Sequence, residues 1–272
     1  MAADERPVED AGKAGLQTRA RSELPTVWLI GDSTVRVGTP GQRGWGDEMA
    51  PFFDLAKVNI VNRAIGGRSS RTFLTEGRWD AILAELRAGD IVLMQFGHND
   101  AGPINEPPPV TKDTRARGSI KGNGEDTQEV DNVITGKHEV VHTYGWYLRQ
   151  YIRDAKAKGA VPIVCSPIPH KTWKDGVVAR ASAGYGKWAR EAAEQEGALF
   201  VDLNEIIAQE YEKLGPEKVE PLFADKGTHT SVAGAKLNAG CVVSGLKALP
   251  SKPVDKYLSE AGRQAPAFSS TR

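Results

Sequence analysis

Five short runs of apolar residues, each separated from the next by turns and a helix-like segment, constrain the fold of this chain more than any other feature. Runs of this length with many β-branched residues are typical of buried strands. Strands that alternate with helices favour one parallel sheet with helices on both faces. The sequence therefore predicts an α/β fold, a single domain with three layers (α/β/α) around a central five-stranded parallel sheet. The five runs are Val27–Ile30, Lys57–Ala64, Asp90–Phe96, Val161–Ile168 and Leu199–Leu203.

Apolar residues recur at helical spacing between these runs, and glycine or proline marks the segment ends. The stretch Ala101–Lys137 is instead rich in proline, glycine and charge and has little periodicity. We expect a long functional loop there, which decides substrate selection. The predicted helices are Trp45–Phe53, Trp79–Leu86, Val141–Lys158, Tyr185–Glu196, Ile206–Leu214 and Val232–Leu249.

Residues 25–250 contain all of these elements and form the predicted domain, whereas residues 1–24 and 251–272 are polar and are predicted to be tails.

Lys and Arg together number 35, as do Asp and Glu, so the chain has no net charge. Nothing in this balance indicates nucleic acid or an anionic membrane as a partner. No apolar run approaches the ~20 residues of a membrane span. The oligomeric state stays open.

The two cysteines, Cys165 and Cys241, are far apart in the sequence and lack metal-ligand spacing. Cys165 lies in a strand-like run and Cys241 in a helix-like one. Both are therefore predicted to be buried thiols rather than a disulfide.

Polar residues and glycines follow the predicted strands, at the edge of the sheet where α/β proteins place ligands. Ser33 follows the first run, Gly67 lies in the turn after the second, Asn99 follows the third, and Asp225 and His229 precede the last helix. A hydroxyl nucleophile needs a base, a carboxylate that orients the base, and donors for an oxyanion. These five residues can supply all of those groups.

These motifs, in this order along the chain, resemble those of the SGNH (GDSL) hydrolases. They are Gly31-Asp32-Ser33, Asn62-x-Ala64-x-x-Gly67, Gly97-x-Asn99 and the late His229. Within that superfamily, residues 64–79, 95–100, 166–173 and 228–239 make the chain most similar to the rhamnogalacturonan acetylesterases. The likeness covers residues 25–249, which is essentially the whole predicted domain.

The resemblance implies a flavodoxin-like SGNH hydrolase fold without a cofactor or metal. It implies Ser33 as nucleophile, His229 as base and Asp225 as the orienting carboxylate, with Ser33, Gly67 and Asn99 as the oxyanion hole. The implied function is a serine O-acetylesterase that acts through an acyl-enzyme. Its substrate would be acetylated plant cell-wall polysaccharide or oligosaccharide, either rhamnogalacturonan (pectin) or xylan.

Two other functions stay open at this point, a small-ester or lipid hydrolase of the same superfamily and a sugar-binding module without activity. The location is open as well. Residues 1–24 show no export signal. We expect a secreted or periplasmic location with the signal removed, and a cytoplasmic location is the alternative.

The spacing of the predicted triad departs from the family in one respect. The family has its aspartate three residues before the histidine, where this chain has Lys226, and Asp225 lies four residues before His229. We expect Gly227 to absorb the extra residue. The alternative is that another group, such as a main-chain carbonyl, orients His229.

Cationic and aromatic side chains near the predicted site suggest a groove for an acidic sugar chain. Guanidinium groups pair with carboxylates, and aromatic faces stack on sugar rings. The alternative is that the tryptophans pack in the core and the arginines lie on solvated surface. The substrate-binding residues predicted on this basis are Trp45, Arg68, His98 and His170, with Arg71 and Trp173 nearby.

A competing motif, His138-Glu139-Val140-Val141-His142, matches the H-E-x-x-H pattern of zinc peptidases. On a helix the two histidines would lie one turn apart on one face, with Glu139 as the base. No third ligand is evident in the sequence, so zinc is the weaker interpretation. A histidine that packs in the fold or contacts substrate is the stronger one.

Overall fold

The computed structural model describes residues 19–269. Its strands are β1 (Thr26–Gly31), β2 (Asn59–Asn62), β3 (Ile91–Gln95), β4 (Thr127–Asp131), β5 (His138–His142), β6 (Val161–Cys165), β7 (Trp173–Lys174), β8 (Val177–Val178) and β9 (Leu199–Val201). Its α-helices are α1 (Ser70–Thr75), α2 (Arg78–Leu83), α3 (Tyr144–Ala157), α4 (Tyr185–Gln195), α5 (Leu203–Leu214), α6 (Pro216–Val219), α7 (Val232–Ala248) and α8 (Glu260–Gln264).

Five of the strands form one parallel sheet in the order β2-β1-β3-β6-β9. Each of the five apolar runs supplies one of these strands; β1 extends one residue beyond its run at both ends, and the other four strands are shorter than their runs. In β1, Val27 and Leu29 face one layer of the core while Trp28 and Ile30 face the other. Because both faces of the strand are covered, the run is apolar throughout rather than alternating.

Helices cover the two faces of the sheet. Helices α5 and α7 pack on the face of Val27 and Leu29, through residues such as Ile207 and Val242. Helices α3 and α4 pack on the opposite face, through residues such as Ile152 and Ala192. The predicted three-layer α/β/α fold is therefore confirmed. Cys165 and Cys241 are buried free thiols, as predicted.

Several predicted helices differ from the structure. The segment Trp45–Phe53 forms two short 3₁₀ turns, Trp45–Glu48 and Ala50–Phe52, and Pro51 lies at the start of the second. The predicted helix over Trp79–Leu86 is shorter in the structure, where it is α2 (Arg78–Leu83), and the separate helix α1 (Ser70–Thr75) precedes it.

The predicted helix from Val141 begins only at Tyr144, because Thr143 caps its N-terminus by accepting a hydrogen bond from the Trp146 N–H at 3.1 Å. Residues His138–His142 belong instead to strand β5, which pairs with β4 as an antiparallel hairpin. The expected loop Ala101–Lys137 therefore contains a strand of its own and is not one continuous loop.

The prediction of polar tails is wrong where the structure describes them. Val254 and Leu258 are buried in the core, and Phe268 packs against it, so the C-terminal segment belongs to the domain. At the other end, the Arg19 guanidinium contacts the Asp90 carboxylate at 2.5 Å. Residues 1–18 and 270–272 lie outside the described residues. Within residues 19–269, no helix has both the length and the apolar character that a membrane span requires.

Candidate active site

The sheet order reverses direction between β1 and β3, because the chain adds β2 on one side of β1 and β3 on the other. Ligands of open α/β sheets bind outside the carboxyl ends of the strands at such a switch point. Ser33 follows β1 and Asn99 follows β3. Both line one groove together with Gly67, Asp225 and His229. The fold thus brings together all five residues that the motifs single out.

Ser33, His229 and Asp225 form a connected chain of hydrogen bonds. The Ser33 Oγ lies 2.8 Å from His229 Nε2, and His229 Nδ1 lies 2.5 Å from Asp225 Oδ2. An ionised carboxylate only accepts, so Nδ1 carries the proton and Nε2 is free to accept the proton of the serine. This is the arrangement that a hydroxyl nucleophile with a general base requires.

A tight turn holds Asp225 in place despite the additional residue before His229. Its Oδ1 atom accepts hydrogen bonds from the N–H groups of Gly227, Thr228 and His229 at 2.8–3.0 Å. Gly227 has a φ of +151°, which a side chain would strain. Burial alone would raise the pKa of Asp225, but these N–H groups and the His229 side chain hold it far below its ordinary value.

Three donors face the groove beside Ser33. Within residues 19–269, neither the Ser33 N–H nor the Gly67 N–H has a hydrogen-bond acceptor. Asn99 uses one Nδ2 hydrogen on the Arg68 carbonyl at 3.0 Å, which leaves the second for another acceptor. Gly67 has a φ of +80°, so its backbone conformation, more than close packing, explains the glycine. The arrangement can hold an oxyanion.

Comparison with known proteins shows which family the chain belongs to. The sequence profile of the GDSL-like Lipase/Acylhydrolase family matches residues 29–237, which is most of the chain. The chain belongs to this family. The predicted resemblance to GDSL hydrolases is therefore confirmed, as is the prediction of a carboxylic ester hydrolase.

Individual relatives are similar over most of their length. The chain is 35% identical to a rhamnogalacturonan acetylesterase of Emericella nidulans over 79% of this chain and 81% of the relative. It is 32% identical to a probable rhamnogalacturonan acetylesterase of Bacillus subtilis, YesY, over 86% and 98%. The crystal structure of the Bacillus subtilis protein YxiM matches with a TM-score of 0.64 and 27% identity over 82% of this chain and 56% of that one.

The aspartate of this GDSL motif makes a buried ion pair that the sequence analysis did not identify. Asp32 Oδ2 lies 3.1 Å from His98 Nδ1, and His98 Nε2 lies 3.1 Å from the Ile168 carbonyl. Both contacts are acceptors, so both ring nitrogens carry protons and His98 is an imidazolium. Burial would lower the pKa of His98, but the Asp32 charge raises it above its ordinary value. The prediction that His98 binds substrate is therefore wrong.

A hydrogen-bond network continues from Asp32 into the core. Asp32 Oδ1 accepts from the Thr34 N–H and hydroxyl at 2.9 and 2.7 Å. The Gln95 amide donates to the Thr34 hydroxyl, and the Trp45 indole donates to the Gln95 carbonyl oxygen at 2.9 Å. Trp45 is fully buried, so the prediction that it stacks on substrate is wrong. It instead helps to fix the turn that carries Ser33 in this GDSL hydrolase.

The other predicted binding residues have varied positions. Arg71 is buried, where it pairs with Glu139 at 2.7 Å and donates to the Ile104 and Gly118 carbonyls, so it holds the loop and does not reach substrate. Arg68 pairs with Glu76 at 3.0 Å. His170 is exposed and stacks on His98, with the ring centroids 5.1 Å apart.

Trp173 is half-buried in β7, packed against the core. The binding roles of Arg68, His170 and Trp173 stay predictions.

The H-E-x-x-H motif lies on strand β5, which removes the helical geometry that zinc would need. Residues four apart on a strand are separated by about 13 Å, at ~3.3 Å per residue. His138 bonds to Asp131 at 2.9 Å, Glu139 pairs with Arg71, and His142 stacks on Trp146 with centroids 3.7 Å apart. Across residues 19–269, no cluster of three metal-ligating side chains occurs.

The active-site groove, lined in part by Ser33, Gly67, Asn99 and His229, encloses about 1050 Å³. Its lining is mostly polar and includes four charged residues that the motifs do not indicate. Arg36, Arg43 and Asp47 come from the segment after β1. Arg117 comes from the Ala101–Lys137 segment and is the clearest addition that the structure makes to the site.

Proposed function

We propose that this protein is a serine O-acetylesterase that removes acetyl groups from plant cell-wall polysaccharide, with rhamnogalacturonan as the main substrate. The observation that carries the proposal is the Ser33–His229–Asp225 chain beside two backbone N–H groups that have no acceptor among residues 19–269. The 35% identity to a rhamnogalacturonan acetylesterase supports the choice of polymer. Because such a polymer is too large to enter a cell, we also propose that the protein acts outside the cytoplasm.

In the proposed reaction, His229 Nε2 takes the proton of Ser33 as the Oγ atom attacks the acetyl carbonyl. The N–H groups of Ser33 and Gly67 and the free Nδ2 hydrogen of Asn99 stabilise the tetrahedral oxyanion. Asp225 holds the Nδ1 proton and stabilises the imidazolium that forms.

The intermediate then collapses to the acetyl-enzyme. His229 returns the proton to the departing sugar oxygen, so the sugar leaves as an alcohol. Water enters the vacated position, gives its proton to His229 and attacks the acetyl carbonyl. Acetate leaves, and Ser33 Oγ recovers its proton.

The composition of the groove supports a carbohydrate over a lipid. A long acyl chain requires a predominantly apolar lining. The groove is instead open and lined by arginines, Thr39, Gln42 and Asp47. Hydroxyl-rich sugars can satisfy such groups, and only the small acetyl group needs to reach Ser33.

Acetate release from acetylated rhamnogalacturonan and acetylated xylan tests the proposal. We expect release by the wild type, faster on rhamnogalacturonan, and none above background by Ser33→Ala. Release that persists in this variant would overturn the mechanism. Absence of release by the wild type would overturn the polysaccharide assignment.

Two further assays separate the alternatives. Faster hydrolysis of long-chain esters than of acetyl esters would favour a lipid hydrolase. Loss of activity on chelation would favour metal chemistry, against which the separation of His138 from His142 on β5 argues.

A further inference from the structure

Arg117 differs from Arg43, Arg68 and Arg71, three other arginines around the active site, because it has no carboxylate partner within residues 19–269. Arg43 pairs with Glu48 at 2.8 Å, Arg68 with Glu76 and Arg71 with Glu139. Among the described residues, the Arg117 guanidinium makes a single hydrogen bond, from Nη1 to the Gly67 carbonyl at 3.3 Å, and its buried Nε atom has no acceptor. A guanidinium has five N–H donors, so most of its capacity is unused.

Among residues 19–269, no carboxylate forms an ion pair with Arg117. The charges of Asp32 and Glu106 act on it only from a distance, since Asp32 pairs with His98 and Glu106 accepts from the Arg115 N–H. Burial, with the neighbouring charges of Arg115 and Arg68, lowers the pKa of Arg117 below its ordinary value. The site is therefore electropositive and half-buried, which strengthens the binding of an anion there.

The backbone fixes Arg117 beside the reacting centre. The Arg117 and Gly118 N–H groups both donate to the Pro103 carbonyl, at 3.1 and 2.7 Å. Arg71 donates to the Gly118 carbonyl at 2.9 Å from the buried side. The guanidinium thus lies over Gly67, one of the proposed oxyanion donors, and on the wall of the active-site groove.

We propose that Arg117 binds the carboxylate of a uronic-acid unit of the polysaccharide, on or next to the sugar that carries the acetyl group, and so determines specificity for an acidic polymer. The inference rests on the proposed function. A planar guanidinium with unused parallel N–H groups matches a carboxylate, and hydrogen bonds between charged groups are about twice as strong as neutral ones. The loop Ala101–Lys137 would select substrate through this residue.

The test compares acetylated rhamnogalacturonan oligosaccharides whose uronic acids are free with the same oligosaccharides after methyl esterification. Esterification removes the negative charge and keeps the acetyl group. We expect the wild type to release acetate from the free acid with a kcat/KM about 10- to 100-fold higher, mostly through KM, which is the range for one charged hydrogen-bonded contact. Arg117→Gln should reduce this ratio to near one, and Arg117→Lys should give an intermediate ratio because it keeps the charge but loses the fork.

Arg153→Gln is the matched control. It removes one positive charge from helix α3, where Arg153 is exposed and paired with Glu196, and it should keep the wild-type ratio. Thermal unfolding of both arginine variants checks that they are folded.

The outcomes separate this inference from the proposed function. If the wild type releases acetate equally from both forms, the esterase function stands and the role of Arg117 is refuted. If Arg117→Gln slows both forms equally, Arg117 acts on the acetyl centre and not on a carboxylate. If the wild type releases acetate from neither form, the polysaccharide function and the inference fail together.

Discussion

Replacement of Asp225 by asparagine gives the sharpest test of how His229 is held. Asparagine keeps an oxygen at the Oδ1 position, where it can still accept from the N–H groups of Gly227, Thr228 and His229. It places an NH₂ group where Oδ2 now faces His229 Nδ1 at 2.5 Å. Two donors cannot share that contact, so Nδ1 must become the acceptor and the ring proton must move to Nε2.

The expected loss of turnover follows from this tautomer. With a proton on Nε2, His229 donates to Ser33 Oγ and cannot take its proton. In other serine hydrolases with the same three-residue arrangement, this substitution lowers kcat about 10⁴-fold. We expect about the same factor here, which corresponds to about 5.4 kcal/mol in the activation barrier.

Stability separates this effect from unfolding. Because Asp225→Asn preserves the three backbone contacts, its melting temperature should lie within a few degrees of the wild type. Asp225→Ala removes those contacts as well and should cost about 1 kcal/mol, comparable to the loss of a helix cap. That corresponds to a decrease of about 2–4 °C.

The assay is acetate release at saturating substrate for the wild type, Ser33→Ala and the two Asp225 variants. If Asp225→Asn retains kcat within about tenfold of the wild type, a group other than the carboxylate orients His229. The proposed triad would then be wrong in its third member. The low pKa of Asp225 also implies that its protonation does not cause any loss of activity between pH 4 and 7.

Three further predictions concern groups around the triad. Asn99→Ala should lower kcat about 10²- to 10³-fold on acetyl esters with little change in KM, and unchanged turnover would exclude Asn99 from the oxyanion hole. Burial raises the pKa of Asp100 to about 6, so its protonation stabilises the fold below about pH 4 and that contribution is lost as the pH rises through 6. In denaturant unfolding, the free energy of unfolding of Asp100→Asn relative to that of the wild type should therefore rise by about 3 kcal/mol between pH 4 and 7. A difference between the two proteins that does not change with pH would contradict this prediction. His98→Leu leaves the Asp32 charge buried without its partner and should cost about 3–5 kcal/mol in urea unfolding, and the double variant His98→Leu/Asp32→Asn should recover part of that loss.

The positions of most of the proposed catalytic residues could be predicted because they depend on strand ends. A serine, a glycine turn and an asparagine each follow an apolar run, and parallel strands deliver their carboxyl ends to one edge of the sheet. Ser33, Gly67 and Asn99 therefore lie in one groove for reasons that the apolar pattern already contains. Asp225 and His229 needed the family motif, since no strand ends immediately before them.

The H-E-x-x-H segment shows where local patterns fail. Val140 and Val141 suit a helix with apolar residues from Val141 onward, but they are β-branched and equally suit a strand. Pairing with Thr127–Asp131 stabilises the strand conformation of His138–His142, because it gives this segment backbone hydrogen-bond partners that an isolated helical turn would lack. The partner strand lies in a stretch with no evident periodicity, so this pairing could not be read from the sequence.

The residue types that recognise an acidic sugar are also the types that form buried ion pairs, and the sequence does not reveal which of them have partners. His98 finds Asp32 at a separation of 66 residues, and Arg71 finds Glu139 at 68. His98 was predicted to bind substrate and Arg71 to lie near the substrate groove, and both instead hold loops of the site in place. Arg117 lies on the groove without such a partner among the described residues. A carboxylate of the polymer gains the most binding free energy at a cation that has no ion-pair partner in the fold, because no existing ion pair has to be broken before the substrate binds. Substrate selection should therefore depend on Arg117 more than on the arginines whose charges the fold already balances.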